Sequence, residues 1–121
     1  MKKVLIATTC EATNTALSEN LSQYEIHICS TGADALKLIE TLRPDILILD
    51  LMLPYMDGLT VLRKSRFRPP IILARTNLIT PAVLQTAAKL GVQDILLIPC
   101  TNRYIIERLK ALTEKSPSPG V

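Results

Sequence analysis

The sequence has few of the residues that several classes of function require. Its 121 residues include one histidine, His27, and three cysteines, Cys10, Cys29 and Cys100, with no C-x-x-C spacing. Such a set does not suggest a metal centre or a disulfide framework. His27 falls in a predicted edge strand, residues 24–29, far from Cys10 and Asp50, which argues against Ser-His-Asp or Cys-His catalysis. We therefore expect a protein that is not an enzyme.

Long apolar runs are also absent. A helix that spans a bilayer needs about 18 or more consecutive apolar residues, and no run approaches that length. The basic start and short apolar run of residues 1–7 are followed at once by Thr8 and Thr9, which is not typical of a signal peptide. We predict a cytoplasmic protein that does not associate with membranes.

A large excess of one charge sign is missing as well. The formal net charge is +3, which many single domains carry, so it does not indicate nucleic-acid binding and we expect none by this domain. One stretch, residues 63–68, is locally basic with the sequence Arg-Lys-Ser-Arg-Phe-Arg. We interpret it as a solvated helix end, with an anion-docking patch as the alternative.

Short apolar runs alternate with helical patterns along the whole chain. Strands are predicted at residues 2–7, 24–29, 46–49, 71–74 and 94–98, and helices at residues 12–23, 33–42, from 59 onwards, 82–90 and 104–112. This alternation predicts an α/β fold, a three-layer sandwich around a five-stranded parallel sheet. The chain length suits one domain over residues 1–115. Residues 116–121 have the composition of a linker, and we expect this tail to be disordered.

The most informative stretch is residues 44–62, Pro-Asp-Ile-Leu-Ile-Leu-Asp-Leu-Met-Leu-Pro-Tyr-Met-Asp-Gly-Leu-Thr-Val-Leu. Its apolar run ends at Asp50, so this carboxylate is predicted at the carboxyl edge of a parallel sheet, where such folds place their ligands. Pro54 and Asp57-Gly58 then mark a loop before the next helix. The stretch closely resembles the phospho-acceptor segment of bacterial response-regulator receiver domains, the CheY-like family.

The resemblance covers nearly the whole chain and implies a flavodoxin-like sheet in the order 2-1-3-4-5. It implies that Asp50 accepts phosphate from a sensor histidine kinase or a phosphotransfer protein. It also implies an effector domain beyond the tail and a homodimer through the fourth and fifth helices. The residues expected on that interaction face are Ala87, Tyr104, Ile105 and Arg108.

Other functional positions depart from the family pattern. Receivers usually end the first strand with two acids that bind Mg²⁺ together with the acceptor, and here Thr8 and Thr9 stand in their place. Mg²⁺ prefers carboxylate oxygens, so only weak candidates remain: Glu11, Asp50 and the backbone carbonyl of Met52. We expect no cofactor, and Mg²⁺ only if Asp50 is phosphorylated.

The fourth and fifth strands also lack their usual functional residues. Arg75 replaces the family's Thr or Ser, and Thr76 cannot take over because side chains alternate between faces of a strand. Ile98 replaces the Lys that precedes the proline, and in this family that peptide bond is usually cis. Arg75 either forms a standing ion pair with Asp50 or turns out to solvent.

These departures favour a degenerate receiver, or pseudo-receiver, of two-component signalling that acts as a regulatory interaction or dimerisation module. The alternative is a true receiver phosphorylated on Asp50. A more remote alternative is a flavodoxin-like nucleotide or flavin binder, which the lack of a glycine-rich loop after the first strand argues against.

Overall fold

The computed structural model describes residues 1–114, so the predicted tail over residues 116–121 lies outside the described part. Strands and helices alternate throughout. The strands are β1 (Lys3–Ala7), β2 (Glu25–Cys29), β3 (Ile46–Asp50), β4 (Ile71–Thr76) and β5 (Asp94–Leu97). The helices are α1 (Glu11–Asn20), α2 (Gly32–Leu42), α3 (Gly58–Lys64), α4 (Pro81–Lys89) and α5 (Asn102–Glu114).

The strands form one parallel sheet in the order β2-β1-β3-β4-β5, which confirms the predicted α/β fold and sheet order. Every residue of the central strand β3 is buried, as expected of a strand covered on both faces. Successive side chains of β1 and β3 point to opposite faces and enter two separate apolar clusters. One cluster contains residues of α2 and α3 and the other contains residues of α1 and α5, so helices cover both faces of the sheet.

Some element ends differ from the predicted bounds. Helix α1 ends at Asn20 rather than at residue 23, because Leu21 is its cap and is buried in the core. Strand β4 runs on to Thr76 rather than ending at residue 74, because Arg75 and Thr76 pair with residues of β5. The first of these two residues, Arg75, pairs with Asp50 at the end of β3.

Residues at both ends of α4 stabilise the helix. The Thr80 hydroxyl accepts a hydrogen bond from the backbone N–H of Val83, and Pro81 occupies the first helical position. Gly91 has a φ of +90°, in the left-handed region that glycine adopts without steric cost. At the end of β5 the Ile98–Pro99 peptide bond is cis, the isomer that is usual in receivers.

No helix within residues 1–114 combines the length and the hydropathy needed to cross a membrane. All three cysteines are free thiols; Cys10 is exposed and Cys29 is buried.

Candidate functional site

Asp50 is the last residue of β3 and is only 8% exposed at the carboxyl edge of the sheet. Its partner position on β4 is Arg75, which is 4% exposed. Paired residues on neighbouring strands direct their side chains to the same face. The register therefore places a buried guanidinium beside a buried carboxylate.

Arg75 contacts both oxygens of the Asp50 carboxylate. Its Nε lies 2.8 Å from Oδ1, and its Nη2 donates a hydrogen bond of 3.4 Å to Oδ2. The Nε contact is ionic rather than an aligned hydrogen bond, and neither Nε nor Oδ1 has a hydrogen-bond partner within residues 1–114. The structure thus adopts the paired arrangement rather than the one with Arg75 in solvent.

Thr8 supplies a further contact to the same carboxylate. Its hydroxyl donates to Asp50 Oδ2 at 2.5 Å, and its oxygen accepts a hydrogen bond from the backbone N–H of Cys10 at 3.1 Å. Thr8 is 1% exposed at the position where the resemblance implies a metal-binding acid. A hydroxyl that donates to Asp50 supports the ionised carboxylate without bringing a second negative charge.

Thr13 belongs to the same cluster, and the sequence reasoning missed it. Its hydroxyl oxygen accepts a hydrogen bond of 3.2 Å from Arg75 Nη1, and the residue is 4% exposed on α1. Thr13 precedes Leu17 by four residues, so it extends the apolar stripe of Leu17 and Leu21 towards the start of the helix. This spacing is the signal that could have identified Thr13 as facing the sheet.

The protonation of Asp50 depends on opposing influences. Burial raises the pKa of Asp50, while the Thr8 hydrogen bond and the charge of Arg75 lower it. The burial effect outweighs the lowering effects together, so the pKa lies above the ordinary value for aspartate. Arg75 and Thr8 thus offset part of the cost of an ionised carboxylate in this buried position.

The remaining predicted residues lie outside this cluster. Thr9 and Glu11 are exposed, Met52 is 59% exposed, and Ile98 is partly buried. Thr76 hydrogen-bonds with the backbone of Leu78 instead of Asp50. This agrees with the alternation of side chains along β4.

These side chains do not form a suitable Mg²⁺ site. Within residues 1–114, no three carboxylate, histidine or cysteine side chains come together as a metal-binding group. The Asp50 oxygens already face Arg75 and Thr8. The guanidinium, with its Nε 2.8 Å from Oδ1, would repel a divalent cation bound to this carboxylate. A hard cation needs several oxygen ligands, which the hydroxyls of Thr8 and Thr9 supply poorly.

The predicted interaction face requires a correction. Ala87 is 1% exposed and Ile105 is 0% exposed, so both belong to the interior and cannot contact a partner. Apolar residues at helical spacing line the inner side of α4 and α5, where they pack on the sheet. Tyr104 is 46% exposed, and Arg108 lies on the surface with its Nε 2.6 Å from Asp94 Oδ2.

Comparison with known proteins agrees with this architecture. The family model described as "Response regulator receiver domain" matches residues 6–110. The chain is 32% identical to the alkaline phosphatase synthesis transcriptional regulatory protein PhoP of Bacillus subtilis, over 95% of this chain and 50% of that protein. It is also 32% identical to the transcriptional regulatory protein AfsQ1 of Streptomyces coelicolor, over 95% of this chain and 52% of that protein.

Solved structures show the same fold. The receiver domain of the Francisella response regulator 1452 is 25% identical, has a TM-score of 0.78, and is matched over 94% of this chain and 98% of that one. The non-phosphorylated HemR receiver domain of Leptospira biflexa has a TM-score of 0.82 at 21% identity, with 96% of this chain and 97% of that one covered.

The fold and the acid at the end of its central strand define a regulatory α/β domain. The chain belongs to the response-regulator receiver domains of two-component signalling. The resemblance seen in the sequence is therefore confirmed. The chain spans about half the length of the curated relatives that it matches.

Proposed function

We propose that this chain is a pseudo-receiver, a receiver domain that regulates through protein contacts without phosphorylation of Asp50. The observation that carries the proposal is the Arg75 guanidinium in contact with both oxygens of the Asp50 carboxylate. The guanidinium belongs to the chain itself, so it faces Asp50 whether or not a metal or a phospho-donor is present.

Phosphoryl transfer to Asp50 would require its carboxylate to attack the donor while other groups neutralise the charge that develops. In this chain the Asp50 side chain is 12% exposed and faces Arg75. Mg²⁺ lacks its usual carboxylate ligands, and Ile98 offers no ammonium group. The site therefore lacks both the access and the neutralising groups that acceptor chemistry uses.

The same contacts fix one conformation of the sheet edge. Asp50 lies on β3, Arg75 on β4, Thr8 directly after β1, and Thr13 on α1, and hydrogen bonds join them across these elements. An ion pair held by neighbours on several elements has few alternative arrangements. We assign this cluster the role of locking the domain in a single signalling state.

Such a domain acts through the surfaces it presents. Receiver domains work with histidine kinases and effector domains, and relatives of this chain are transcriptional regulators about twice its length. The elements α4, β5 and α5 expose the apolar side chains of Leu84, Leu97 and Tyr104 by 46%, 54% and 46%. We assign this surface to contact with a second copy of the chain.

The phosphorylation test is intact-mass analysis after incubation with acetyl phosphate, with and without Mg²⁺. The wild-type protein is expected to gain no phosphoryl group. A variant carrying Thr8→Asp, Thr9→Asp, Arg75→Thr and Ile98→Lys restores the family's residues and is the positive control. Asp50→Asn in that background should abolish any gain. A phosphoryl group on wild-type Asp50 that requires Mg²⁺ would instead establish the true receiver.

The dimer surface is tested separately by sedimentation equilibrium. Leu97→Asp places a charge on edge strand β5 and should weaken self-association. Ile28→Asp is the matched control, because Ile28 is 48% exposed on the opposite edge strand β2. If Leu97→Asp and Ile28→Asp self-associate equally, β5 does not contribute to the dimer interface.

A further inference from the structure

A second surface of the molecule is strongly basic, and the proposed function does not use it. Helices end and strands begin at the amino edge of the sheet, opposite to Asp50. The loops and last helical turns of α2, α3 and α4 bring an exposed set of cations to this edge, which we call the basic surface: Arg43, Arg63, Lys64, Arg66, Arg68 and Lys89.

Contacts in the structure show that this surface is continuous. The Arg43 guanidinium lies over the Phe67 ring, 5.4 Å from its centre, which joins the end of α2 to the loop after α3. Arg68 Nη1 donates a hydrogen bond of 3.2 Å to the carbonyl oxygen of Leu62. Its side chain also lies beside Gly91, where an added Cβ would be 3.1 Å from it, so it reaches the end of α4.

The charges of the basic surface are not neutralised within residues 1–114. None of its members forms an ion pair there; the ion pairs in this range involve other residues. The Glu40 carboxylate contacts this surface, but it accepts its hydrogen bonds from the backbone N–H groups of Arg66 and Phe67. Asp57 interacts electrostatically with Arg63 without forming an ion pair with it. Glu40 thus holds the loop in place and leaves the arginine side chains available.

Helix electrostatics explains only part of this arrangement. Arg63 and Lys64 lie in the last turn of α3, where a cation offsets the partial negative charge of the helix end. Arg68 also has this role in part, through its hydrogen bond to the Leu62 carbonyl oxygen in that turn. Arg66 lies beyond the helix and does not have it. Guanidinium groups also bind phosphate through two parallel hydrogen bonds, which favours arginine for phosphate recognition.

The surface lacks the features of a protein-binding site. Protein interfaces depend on buried aromatic or aliphatic anchors. None of the exposed large apolar side chains falls between residues 29 and 51 or between residues 56 and 77. Cations without apolar anchors instead match the phosphate backbone of nucleic acids, where binding is driven by release of counterions.

We propose that the basic surface binds the backbone of duplex DNA without sequence specificity. The sequence led to the opposite expectation because it was judged by its net charge of +3. The fold changes that judgement by collecting cations that form no ion pair from three helix ends on one edge, where Glu40, Asp45 and Asp94 are the acids. It places Glu11, Asp34 and Asp57 at the starts of α1, α2 and α3, on the other edge.

The test is fluorescence anisotropy of labelled duplexes with two unrelated sequences, titrated with the full chain at several salt concentrations. We expect equal dissociation constants for the two sequences, on the order of 10–100 µM, that weaken steeply with salt. Arg63→Gln with Arg66→Gln should weaken binding about tenfold and reduce the slope of log K against log salt by about 1.8, since each phosphate contact contributes about 0.9.

The control variant is Arg103→Gln with Lys110→Gln, which removes the same charge from exposed positions on α5. It should bind as the wild type does, and all three proteins should have the same circular dichroism spectrum at the temperature of the assay. An equal loss in both variants would overturn the proposal, because net charge would then explain the binding. No binding at low salt, or tighter binding to phosphatidylglycerol vesicles or polyglutamate than to DNA, would overturn it as well.

Discussion

Arg75 and Asp50 occupy directly paired positions on β4 and β3, and their side chains meet with 2.8 Å between Nε and Oδ1. The pair is enclosed, because the two side chains are 5% and 12% exposed. Thr13 on α1 accepts a hydrogen bond from the guanidinium, so the cluster also joins the helix to the sheet. A receiver with this cluster has a cation of its own, the Arg75 guanidinium, beside Asp50, the residue at the phospho-acceptor position of the family.

Removing Arg75 alone should be strongly destabilising. Arg75→Met leaves the Asp50 carboxylate buried without its cation, and breaking a buried pair from one side costs about 3–5 kcal/mol. Urea denaturation measures this loss in the free energy of unfolding. The double variant Asp50→Asn with Arg75→Met should lose less free energy of unfolding than the sum of the losses in the two single variants. The difference, which is the coupling energy between the two side chains, should be about 0.5–3 kcal/mol. Strictly additive losses would show that the two side chains do not stabilise each other.

The hydroxyl group of Thr13 should stabilise the folded protein. Thr13→Val keeps the size of the side chain but removes the acceptor for Arg75 Nη1, which leaves a buried charged donor unsatisfied. We expect a loss of about 1–3 kcal/mol in the free energy of unfolding. Thr13→Ser retains the hydroxyl and is the control, with a smaller loss from the missing methyl group. Equal losses in Val and Ser would assign the role of Thr13 to packing.

The sequence predicted the fold because each strand and helix has a clear local pattern. It also predicted that Arg75 and Asp50 could meet, but this prediction depended on the resemblance to receiver domains, because the local pattern ended the fourth strand at residue 74, before Arg75. It did not identify Thr13, since a polar residue near a helix start is normally exposed. Ala87 and Ile105 were wrongly placed on an interaction face because spacing identifies an apolar stripe without showing whether the sheet already covers it.

Gly32 should be intolerant of any side chain. A Cβ at this position would lie 1.9 Å from the carbonyl oxygen of Met56 and 2.6 Å from its Cβ. The Gly32 N–H also donates to the carbonyl oxygen of Pro54, so the start of α2 supports the loop that follows β3. Gly32→Ala should destabilise the protein by about 1–3 kcal/mol or more through overpacking.

The measurement for Gly32→Ala is the melting temperature by circular dichroism. Ala33→Ser is the control, because Ala33 is exposed one residue further along the same helix. A melting temperature unchanged in Gly32→Ala would mean that the loop over residues 54–56 moves away at little cost.

Asp57 gives a prediction about pH. Its carboxylate caps α3 by accepting hydrogen bonds from the N–H and the hydroxyl of Thr60 at 3.0 and 2.9 Å. Burial raises the pKa of Asp57, but the hydrogen bonds from Thr60 outweigh it, so the pKa lies below the ordinary value. A lowered pKa in the folded state stabilises the protein above the pKa of the unfolded chain, about 3.9, and this stabilisation disappears as pH falls through the folded value.

Asp57→Ala should therefore lower the free energy of unfolding by about 1 kcal/mol at pH 7, and this difference from the wild type should shrink as the pH falls below about 4. Asp57→Asn keeps a capping oxygen that does not titrate, so its free energy of unfolding at pH 7 should fall less than that of Asp57→Ala. Asp50 has the opposite sign, because its raised pKa favours folding at low pH. Its contribution is the same in all three proteins and cancels in the differences. A difference between wild type and Asp57→Ala that is constant from pH 7 to pH 3 would show that the charge of Asp57 does not stabilise α3.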